Sequence, residues 1–426
     1  MSAPSPTKSG RSRARRPGDG YDTYINAGGP TTLYRRFPTT LTLLAPYVLL
    51  ILPPAIVFGN PRIWFLIGVA LIALAGAIVP ELLIPRRARA TPLPTDIVEH
   101  GRGLVPLAVL AITTSSIVGL AAAYSGKGSV AAQIGVAEES AGFIGTIDSL
   151  TRGWMIVGAG LLFAAYIGGH CSRRLLLAAL VVPVASTAVA VYFTQITAPL
   201  FQLITCLAML ALFLGVIKMR VVIIGMLAIL VLWPTVFELR NELREEVGVQ
   251  VSESVSATDR LRFDLLFARA QDLEIPLDID MPGLLLHPSP IEMLRYGIVP
   301  RFLDPERDLV STGQVINVAL GGVSTSALSF GPVTTAYVLE GPVYLFFYYF
   351  LLSVYLNWIW RRRGRITAAR LALLALVFHG PLGWISTFPD TTIGMLQNIV
   401  AAVPLLLILS LFRRTEPAST RKALTS

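Results

Sequence analysis

The sequence predicts an all-α polytopic membrane protein with about ten transmembrane helices, both termini in the cytoplasm and one large extracytoplasmic loop. Its composition is the first reason: 54% of the 426 residues are hydrophobic and 14% are charged, and the mean hydropathy is +0.65, unlike the averages for soluble domains. The second reason is a series of ten apolar stretches close to the length of about 20 residues that crosses a bilayer. The third is the placement of Lys and Arg, which follows the positive-inside rule.

The ten apolar stretches follow one another along the chain. They cover residues 41–58, 63–84, 104–124, 153–169, 175–193, 196–217, 221–237, 342–360, 366–385 and 393–412. The block 175–217 is too long for one helix and has only the sequence TQITAP to turn it, so we expect two helices there. Ten crossings place both termini on the same side of the membrane.

The basic residues predict which side that is. With a cytoplasmic N-terminus, 24 of the 35 Lys and Arg residues lie in cytoplasmic segments, and eight of the other eleven lie in the long segment 238–341. Long loops cross a membrane largely regardless of their charge, so those eight do not oppose this orientation. The formal net charge of +9 therefore reflects membrane topology and indicates no nucleic-acid partner.

These boundaries give the predicted organisation. Its parts are a disordered basic cytoplasmic tail (1–36), transmembrane helices 1–7 (37–237), the large extracytoplasmic loop (238–341), transmembrane helices 8–10 (342–412) and a second cytoplasmic tail (413–426). The first tail is assigned as disordered because it is rich in Ser, Pro and Arg and has no apolar core.

The large loop carries apolar segments, which argue against disorder. The sequence LRFDLLFARA has the spacing of a short amphipathic helix. The sequence MPGLLLHPSPIEMLRYGIVP predicts a helix on the membrane surface between proline stops. We therefore expect the loop to fold against the mouth of the helical bundle.

Several kinds of chemistry are disfavoured by missing motifs. The sequence has no Gly-rich phosphate loop, no HExxH and no CxxC, which argues against a nucleotide-driven pump and a zinc peptidase. Cys171 and Cys206 lie in apolar surroundings and are expected to be packing residues. His379 falls within the ninth apolar stretch, where an ionisable group is either functional or makes a hydrogen bond between helices.

The eight Arg and 16 Asp or Glu residues of the loop allow two interpretations. Several guanidinium groups near the membrane surface could grip the phosphate of a lipid in bidentate fashion. Alternatively, the arginines pair with the abundant carboxylates and stabilise the fold. The residues alone slightly favour ion pairing.

A resemblance changes that balance. The run YGIVPRFLDPERD and the serine-rich and aromatic sequence that follows it resemble the signature region of the oligosaccharide repeat-unit polymerases, the Wzy-type O-antigen and exopolysaccharide polymerases. The matching positions are Pro300, Arg301 and Pro305, then the serines of 324–329, then Tyr337 and Gly341. The motif covers about 60 residues, while the hydropathy profile is similar over most of the chain. Many members have a Glu two residues before the tyrosine, where this chain has Thr335; Glu340 is the nearest carboxylate that could replace it.

The resemblance implies a glycosyltransferase of the bacterial plasma membrane that needs no cofactor. Such an enzyme joins polyprenyl-diphosphate-linked oligosaccharide repeat units into a polysaccharide on the outer face of the membrane. Its implied partners are that lipid-linked sugar, membrane lipid, a flippase, and chain-length or export proteins. A helical bundle of the GT-C type is implied by analogy.

The implied chemistry assigns candidate site residues. The lipid diphosphate leaves with negative charge that cations must stabilise, and the candidates are Arg301, Arg295 and Arg307. A base must accept the proton of the attacking hydroxyl, and the candidates are Glu340, Asp304 and His379. Ser326 and Tyr337 would contact the sugar. A plain flexible loop explains Ser326 equally well, and a position at the membrane interface explains Tyr337 equally well.

Other functions remain open at the level of sequence. A ligase of the O-antigen type would share the donor and use another acceptor. A transporter or flippase of lipid-linked sugars should show two matching halves and broken or charged helices near the midplane, whereas the apolar stretches here carry almost no charge. A scaffold protein would not need arginines beside a proline-rich outer loop.

Overall fold

The computed structural model is helical throughout the residues it describes. These are residues 30–83, 101–127, 129, 142–246, 262–273, 288–299, 303–304, 310–322, 327, 329–361, 367–384 and 387–414. The first eight helices are α1 (Pro30–Arg36), α2 (Pro38–Val57), α3 (Ile63–Leu83), α4 (Gly101–Tyr124), α5 (Gly142–Ile167), α6 (Arg173–Thr194), α7 (Ala198–Phe213) and α8 (Met219–Glu246). The others are α9 (Phe263–Ala268), α10 (Pro290–Ile298), α11 (Thr312–Ala319), α12 (Gly331–Arg361), α13 (Ala368–His379) and α14 (Asp390–Arg414).

Each of the ten predicted apolar stretches overlaps a helix, but fewer helices qualify as membrane spans. Within the described part of the chain, seven are long and apolar enough to cross a membrane, and α8 makes an eighth if its two halves, bent by 45°, form one span. The seven are α2, α3, α4, α5, α6, α12 and α14. The protein is therefore a multi-pass helical membrane protein.

The helices α7 and α13 account for the difference between ten predicted spans and eight, and the bend in α8 accounts for the difference between eight and seven. α7 has 16 residues and α13 has 12, so at 1.5 Å per residue they reach about 24 and 18 Å, short of the hydrocarbon thickness of about 30 Å. The predicted stretch 366–385 stops being helical at Gly380 and Pro381, because proline cannot continue a helix. Eight of the twelve residues of α13 are buried and the other four are partly buried, so this helix is surrounded by protein.

The helices alternate in direction, and contacts at their ends define two faces of the bundle. At one face, called here the tail end, the carboxylate of Glu81 accepts hydrogen bonds from the backbone of Thr39 (2.7 Å) and the hydroxyl of Thr40 (2.6 Å). At the opposite face, the loop end, Gln195 donates to the backbone oxygen of Leu243 (3.0 Å). These contacts join segments that the sequence places on the same side of the membrane.

The structure departs from the predicted organisation at three places. Residues 30–36 of the predicted disordered tail form α1, where the Tyr34 hydroxyl hydrogen-bonds that of Thr42 at 2.8 Å. α8 and α12 both run into the predicted loop 238–341. α12 contains a break at Gly341, whose φ of 83° lies in the left-handed region that glycine adopts readily.

The described parts of the large loop pack onto the bundle. α9 and α10 fall where the sequence predicts short amphipathic helices. α9 is held by Asn60, whose side-chain amide donates to the Asp264 carboxylate at 3.0 Å. α10 lies against α14, where the Gln397 amide donates to the backbone oxygen of Tyr296 at 3.0 Å. The loop end therefore carries a folded layer over the membrane-spanning helices.

Candidate functional site

The structure describes five of the eight residues that the sequence proposes for a site. These are Arg295, Asp304, Tyr337, Glu340 and His379. The other three, Arg301, Arg307 and Ser326, lie outside the described residues.

Arg295 and Asp304 pair with each other. The guanidinium of Arg295 donates from Nε and Nη2 to the two carboxylate oxygens of Asp304, at 2.9 and 2.8 Å. The hydrogen bond to Asp304 raises the pKa of Arg295 above its ordinary value. The Arg295 side chain is 55% exposed and that of Asp304 is 16% exposed. This geometry engages the proposed base Asp304 with a cation and leaves Arg295 at the surface.

The other described arginines of the loop are also engaged, and at separate places. Arg262 binds Asp264 through two hydrogen bonds of 2.8 and 2.9 Å. Arg244 donates to the backbone oxygen of Gln195 at 3.0 Å, and Arg269 reaches that of Leu320 at 3.4 Å. For these residues the structure fits the ion-pairing and structural interpretation, and the phosphate-binding interpretation rests on Arg301 and Arg307.

Tyr337 and Glu340 lie in the first half of α12, before the break at Gly341. The ring of Tyr337 packs edge-on against that of Phe65, with centroids 5.8 Å apart, which fits its interpretation as a packing residue. Glu340 is partly buried and lies within electrostatic range of Tyr344. The Gly341 break therefore sets Glu340 at the start of an aromatic segment.

That segment forms an aromatic wall, defined as Tyr344, Tyr348 and Phe388. The two tyrosine rings stack with centroids 6.1 Å apart. Phe388 lies 5.5 Å from the Tyr344 ring and 5.3 Å from the Tyr348 ring. Phe388 is fully buried, whereas both tyrosines are partly exposed. Aromatic rings of this kind can stack on a planar or sugar ring.

A carboxylate that the sequence did not single out lies beside this wall. Asp390 is the first residue of α14 and is partly exposed. The hydroxyls of Thr312 and Thr387 donate to its two oxygens, at 3.1 and 2.7 Å. The signal in the sequence is STFPDTT, a carboxylate after proline at the start of an apolar stretch, which alone predicts no more than a helix N-terminus.

His379 is the last residue of α13, and this end of α13 packs against α14. Its backbone oxygen accepts a hydrogen bond of 2.6 Å from the Gln202 amide. A Cβ on the next residue, Gly380, would meet the Cβ of Met395 at 3.0 Å, so the end of α13 lies close against α14. Arg152 of α5 interacts electrostatically with His379.

Several elements converge on the first turns of α14, residues 390–398, called here the α14 hub. The end of α13 packs against the hub. Gln397 of the hub binds α10, and Thr312 of α11 binds Asp390 of the hub. Tyr348 of α12 shares a hydrogen bond of 2.7 Å with Thr392 of the hub. A Cβ on Gly153 of α5 would meet the backbone oxygen of Asn398 at 2.8 Å. The hub is thus where α10 and α11 of the loop layer meet the transmembrane helices, while α9 attaches at the turn between α2 and α3.

Among the described residues, a small cleft lies away from the hub. This cleft, near the π-helical turn of α2, is lined by residues that include Tyr47, Phe330 and Trp384, and has a cavity volume of about 20 Å³. That volume holds about one water molecule and is too small for a sugar. No group of three or more His, Cys, Asp or Glu residues in the described ranges could hold a metal ion.

Comparison with known proteins identifies no relative. No family model, no curated protein and no solved structure matches the chain. The functional assignment therefore depends on the motif in the sequence and on the geometry of the loop end. What is established is a multi-pass helical membrane protein with a folded loop layer docked on one end of its bundle.

Proposed function

We propose that this protein is a glycosyltransferase that polymerises polyprenyl-diphosphate-linked oligosaccharide repeat units on the outer face of the plasma membrane. The observation that carries the proposal is the run YGIVPRFLDPERD with the serines, Tyr337 and Gly341 that follow it, which resembles the signature region of Wzy-type polymerases. The fold is compatible with it, because the chain crosses a membrane several times and carries a folded layer at one end.

The geometry of the loop end supports the proposal in chemical terms. Glu340 interacts electrostatically with Tyr344 of the aromatic wall, and Asp390 follows Phe388 of that wall by two residues; the wall's tyrosines are partly exposed. Aromatic rings bind the apolar faces of sugars, and carboxylates can accept protons from sugar hydroxyls. A site at the start of α14 lies near the membrane surface, where a lipid diphosphate would sit.

Arg301 is the residue to which the proposal assigns the diphosphate. In glycosyl transfer from a lipid diphosphate, negative charge develops on the leaving phosphate oxygens, and a preorganised cation stabilises it. A guanidinium is suited to this role because its planar fork matches phosphate geometry. Arg307 is the second candidate, and Arg295 the third because Asp304 engages its guanidinium.

The first experiment replaces Arg301 by Ala in cells that lack the native gene and reads polysaccharide chain length on a gel. We expect long chains to collapse to single repeat units on lipid, with a loss of about 10²–10³-fold in polymerisation rate. Arg174→Ala is the matched control, because Arg174 is an exposed arginine at the tail end. Long chains from an R301A protein expressed at the wild-type level would contradict the proposed role.

A second candidate function, transport of lipid-linked sugars, is favoured by one observation. α12 is broken at Gly341 and α8 is bent by 45°, and broken helices line the substrate sites of many transporters. The two functions differ in where substrate accumulates when the protein is lost. Loss of a polymerase leaves single lipid-linked repeats on the outer leaflet, whereas loss of a transporter leaves them on the inner leaflet.

A further inference from the structure

We propose that Asp390 is the catalytic base, the group that takes the proton from the acceptor sugar's hydroxyl. This inference rests on the proposed glycosyl transfer and names a residue that the motif does not contain.

Asp390 differs in its partners from the other aspartates that the structure describes. Within the described ranges there are five aspartates, and four of them pair with a Lys or Arg. Those four are Asp148, Asp264, Asp272 and Asp304, whose partners are Lys127, Arg262, Arg62 and Arg295. A cation stabilises the ionised carboxylate and makes it a poorer proton acceptor, whereas neutral surroundings preserve its basicity. Asp390 is held by Thr312 and Thr387, which are neutral.

The same two threonines fix the position of the carboxylate. Thr312 comes from α11 in the loop layer and Thr387 from the segment that precedes α14. Each donates to a different carboxylate oxygen, so the side chain cannot rotate without losing a hydrogen bond. Each carboxylate oxygen has two lone pairs, so both keep acceptor capacity for a substrate hydroxyl. The loop layer therefore orients the Asp390 carboxylate in addition to covering the bundle.

The surroundings of Asp390 suit a sugar. Phe388, two residues earlier, anchors the aromatic wall, and the partly exposed rings of Tyr344 and Tyr348 rest against it. The hydroxyl of Thr391, the next residue, is buried and has no hydrogen-bond partner within the described ranges. A buried hydroxyl without a partner is unfavourable, and a bound polar ligand would satisfy it.

The proposed step is balanced. The acceptor hydroxyl oxygen attacks the anomeric carbon of the donor and forms the new C–O bond. The C–O bond from that carbon to the diphosphate breaks, and its electron pair leaves with the lipid diphosphate. The hydroxyl proton passes to Asp390, which returns it to water or to the leaving group. No oxidant, reductant or nucleotide takes part.

The competing explanation is that Asp390 only stabilises the N-terminus of α14. A carboxylate there interacts favourably with the helix dipole and with free backbone N–H groups. Asparagine keeps the shape and the hydrogen-bond acceptor of aspartate and loses only the modest charge interaction with the helix dipole, but it cannot act as a base. Asp390→Asn therefore separates the two roles.

The experiment uses purified full-length protein in proteoliposomes, with lipid-linked oligosaccharides extracted from cells that lack the gene. We expect D390N to lower kcat by at least about 100-fold, because general bases contribute about 10²–10⁴-fold, with KM and thermal stability near wild type. Glu292→Gln is the control, since glutamine also fits the capping box that Ser289 and Glu292 form at the start of α10. We expect it to retain full activity.

Each outcome decides between the alternatives. Normal kcat in D390N, or loss of kcat in Glu340→Gln while D390N keeps it, overturns the assignment of Asp390. If the wild-type protein forms no polymer, the proposed function fails, whatever the variants do. Thr387→Val tests whether Thr387 positions the Asp390 carboxylate. We expect a partial loss of kcat and a shifted pH profile for the residual activity. An unchanged pH profile would show that Thr387 does not have this role.

Discussion

Asp264 shows how single residues attach the loop layer to the bundle. Its side chain is fully buried and accepts hydrogen bonds from Arg262 and from Asn60 in the turn between α2 and α3. The guanidinium of Arg262 also lies over the ring of Phe58, 4.2 Å from its centroid. Phe58 and Asn60 on one segment thus meet Arg262 and Asp264 on a segment 204 residues later, around one buried carboxylate. This contact is called here the α9 latch.

The α9 latch should matter more to stability than the surface ion pair beside it. Asp264→Ala leaves Arg262 without its carboxylate in a mostly buried place, and we expect a loss of about 2–4 kcal/mol in the free energy of unfolding. Asp272→Ala breaks a pair whose side chains are 37% and 47% exposed, so we expect less than about 1 kcal/mol. Thermal unfolding in detergent checks both variants, and equal losses would contradict the assignment.

The α9 latch should also be sensitive to acid. Burial raises the pKa of Asp264, but the hydrogen bonds from Arg262 and Asn60 outweigh burial and lower the pKa below the ordinary 3.8. Because the folded-state pKa is lowered, the latch contributes fully above pH 3.8 and is lost as pH falls through the lowered value. Limited proteolysis of the loop should therefore increase below about pH 4 in the wild type, and Asp264→Asn should lose that dependence.

Sequence reasoning reached some of these residues and missed others, for physical reasons. The excess of Arg and carboxylate in the loop predicted ion pairs, and Arg262 and Arg295 make them. It could not predict the partners, because Asn60 is 204 positions from Asp264. Asp390 was missed because a carboxylate at a helix start is a common signal; only its neutral partners, which come from other elements, set it apart.

At the scale of elements, close contacts between helices depend on glycine. α3 and α12 approach so closely that a Cβ on Gly76 would collide with the backbone oxygen of Phe346. On the same helix, a Cβ on Gly68 would meet no atom within 4 Å. Small residues allow such contacts between membrane helices.

These two glycines provide a matched test. Gly76→Ala forces α3 and α12 apart, and we expect a loss of about 1–3 kcal/mol or more, as in other overpacked cores. Gly68→Ala adds a methyl group in open space and removes backbone freedom from the unfolded chain, so we expect no loss, or a gain of about 0.5–1 kcal/mol. Thermal unfolding of both variants in one detergent measures the difference. A destabilised Gly68→Ala protein would contradict the packing.

Helix positions were more predictable than helix roles. All ten apolar stretches overlap helices, yet α7 and α13 are shorter than a span. Apolar composition shows that a helix avoids water and does not show whether lipid or protein surrounds it. α13 is apolar because other helices enclose it. The loop helices α9 and α10 were predictable because their apolar periodicity is local.

For the whole molecule, the contacts fix which segments share a face, while the orientation in the membrane remains a prediction from Lys and Arg. The segment between α7 and α8 and the tail before α2 lie at the tail end, and α9 lies at the loop end. The positive-inside rule places the tail end in the cytoplasm.

Cysteine labelling tests that orientation. The chain has two cysteines, both buried, so a background with Cys171→Ala and Cys206→Ala is suitable. We expect a membrane-impermeant maleimide to label Gln271→Cys, an exposed site at the loop end, in intact cells. Lys218→Cys, exposed at the tail end, should react only after the membrane is opened. The reverse labelling pattern would show the opposite topology, with the loop layer on the cytoplasmic side of the membrane.

The most direct test of the whole account is reconstitution of the wild-type protein. Purified protein in liposomes would receive lipid-diphosphate-linked oligosaccharides from cells that lack its gene, with no nucleotide and no added metal ion. The account predicts a ladder of products, each longer by one repeat unit, with release of lipid diphosphate. Unchanged substrate that has crossed to the opposite leaflet would contradict the polymerase assignment and establish a transporter instead.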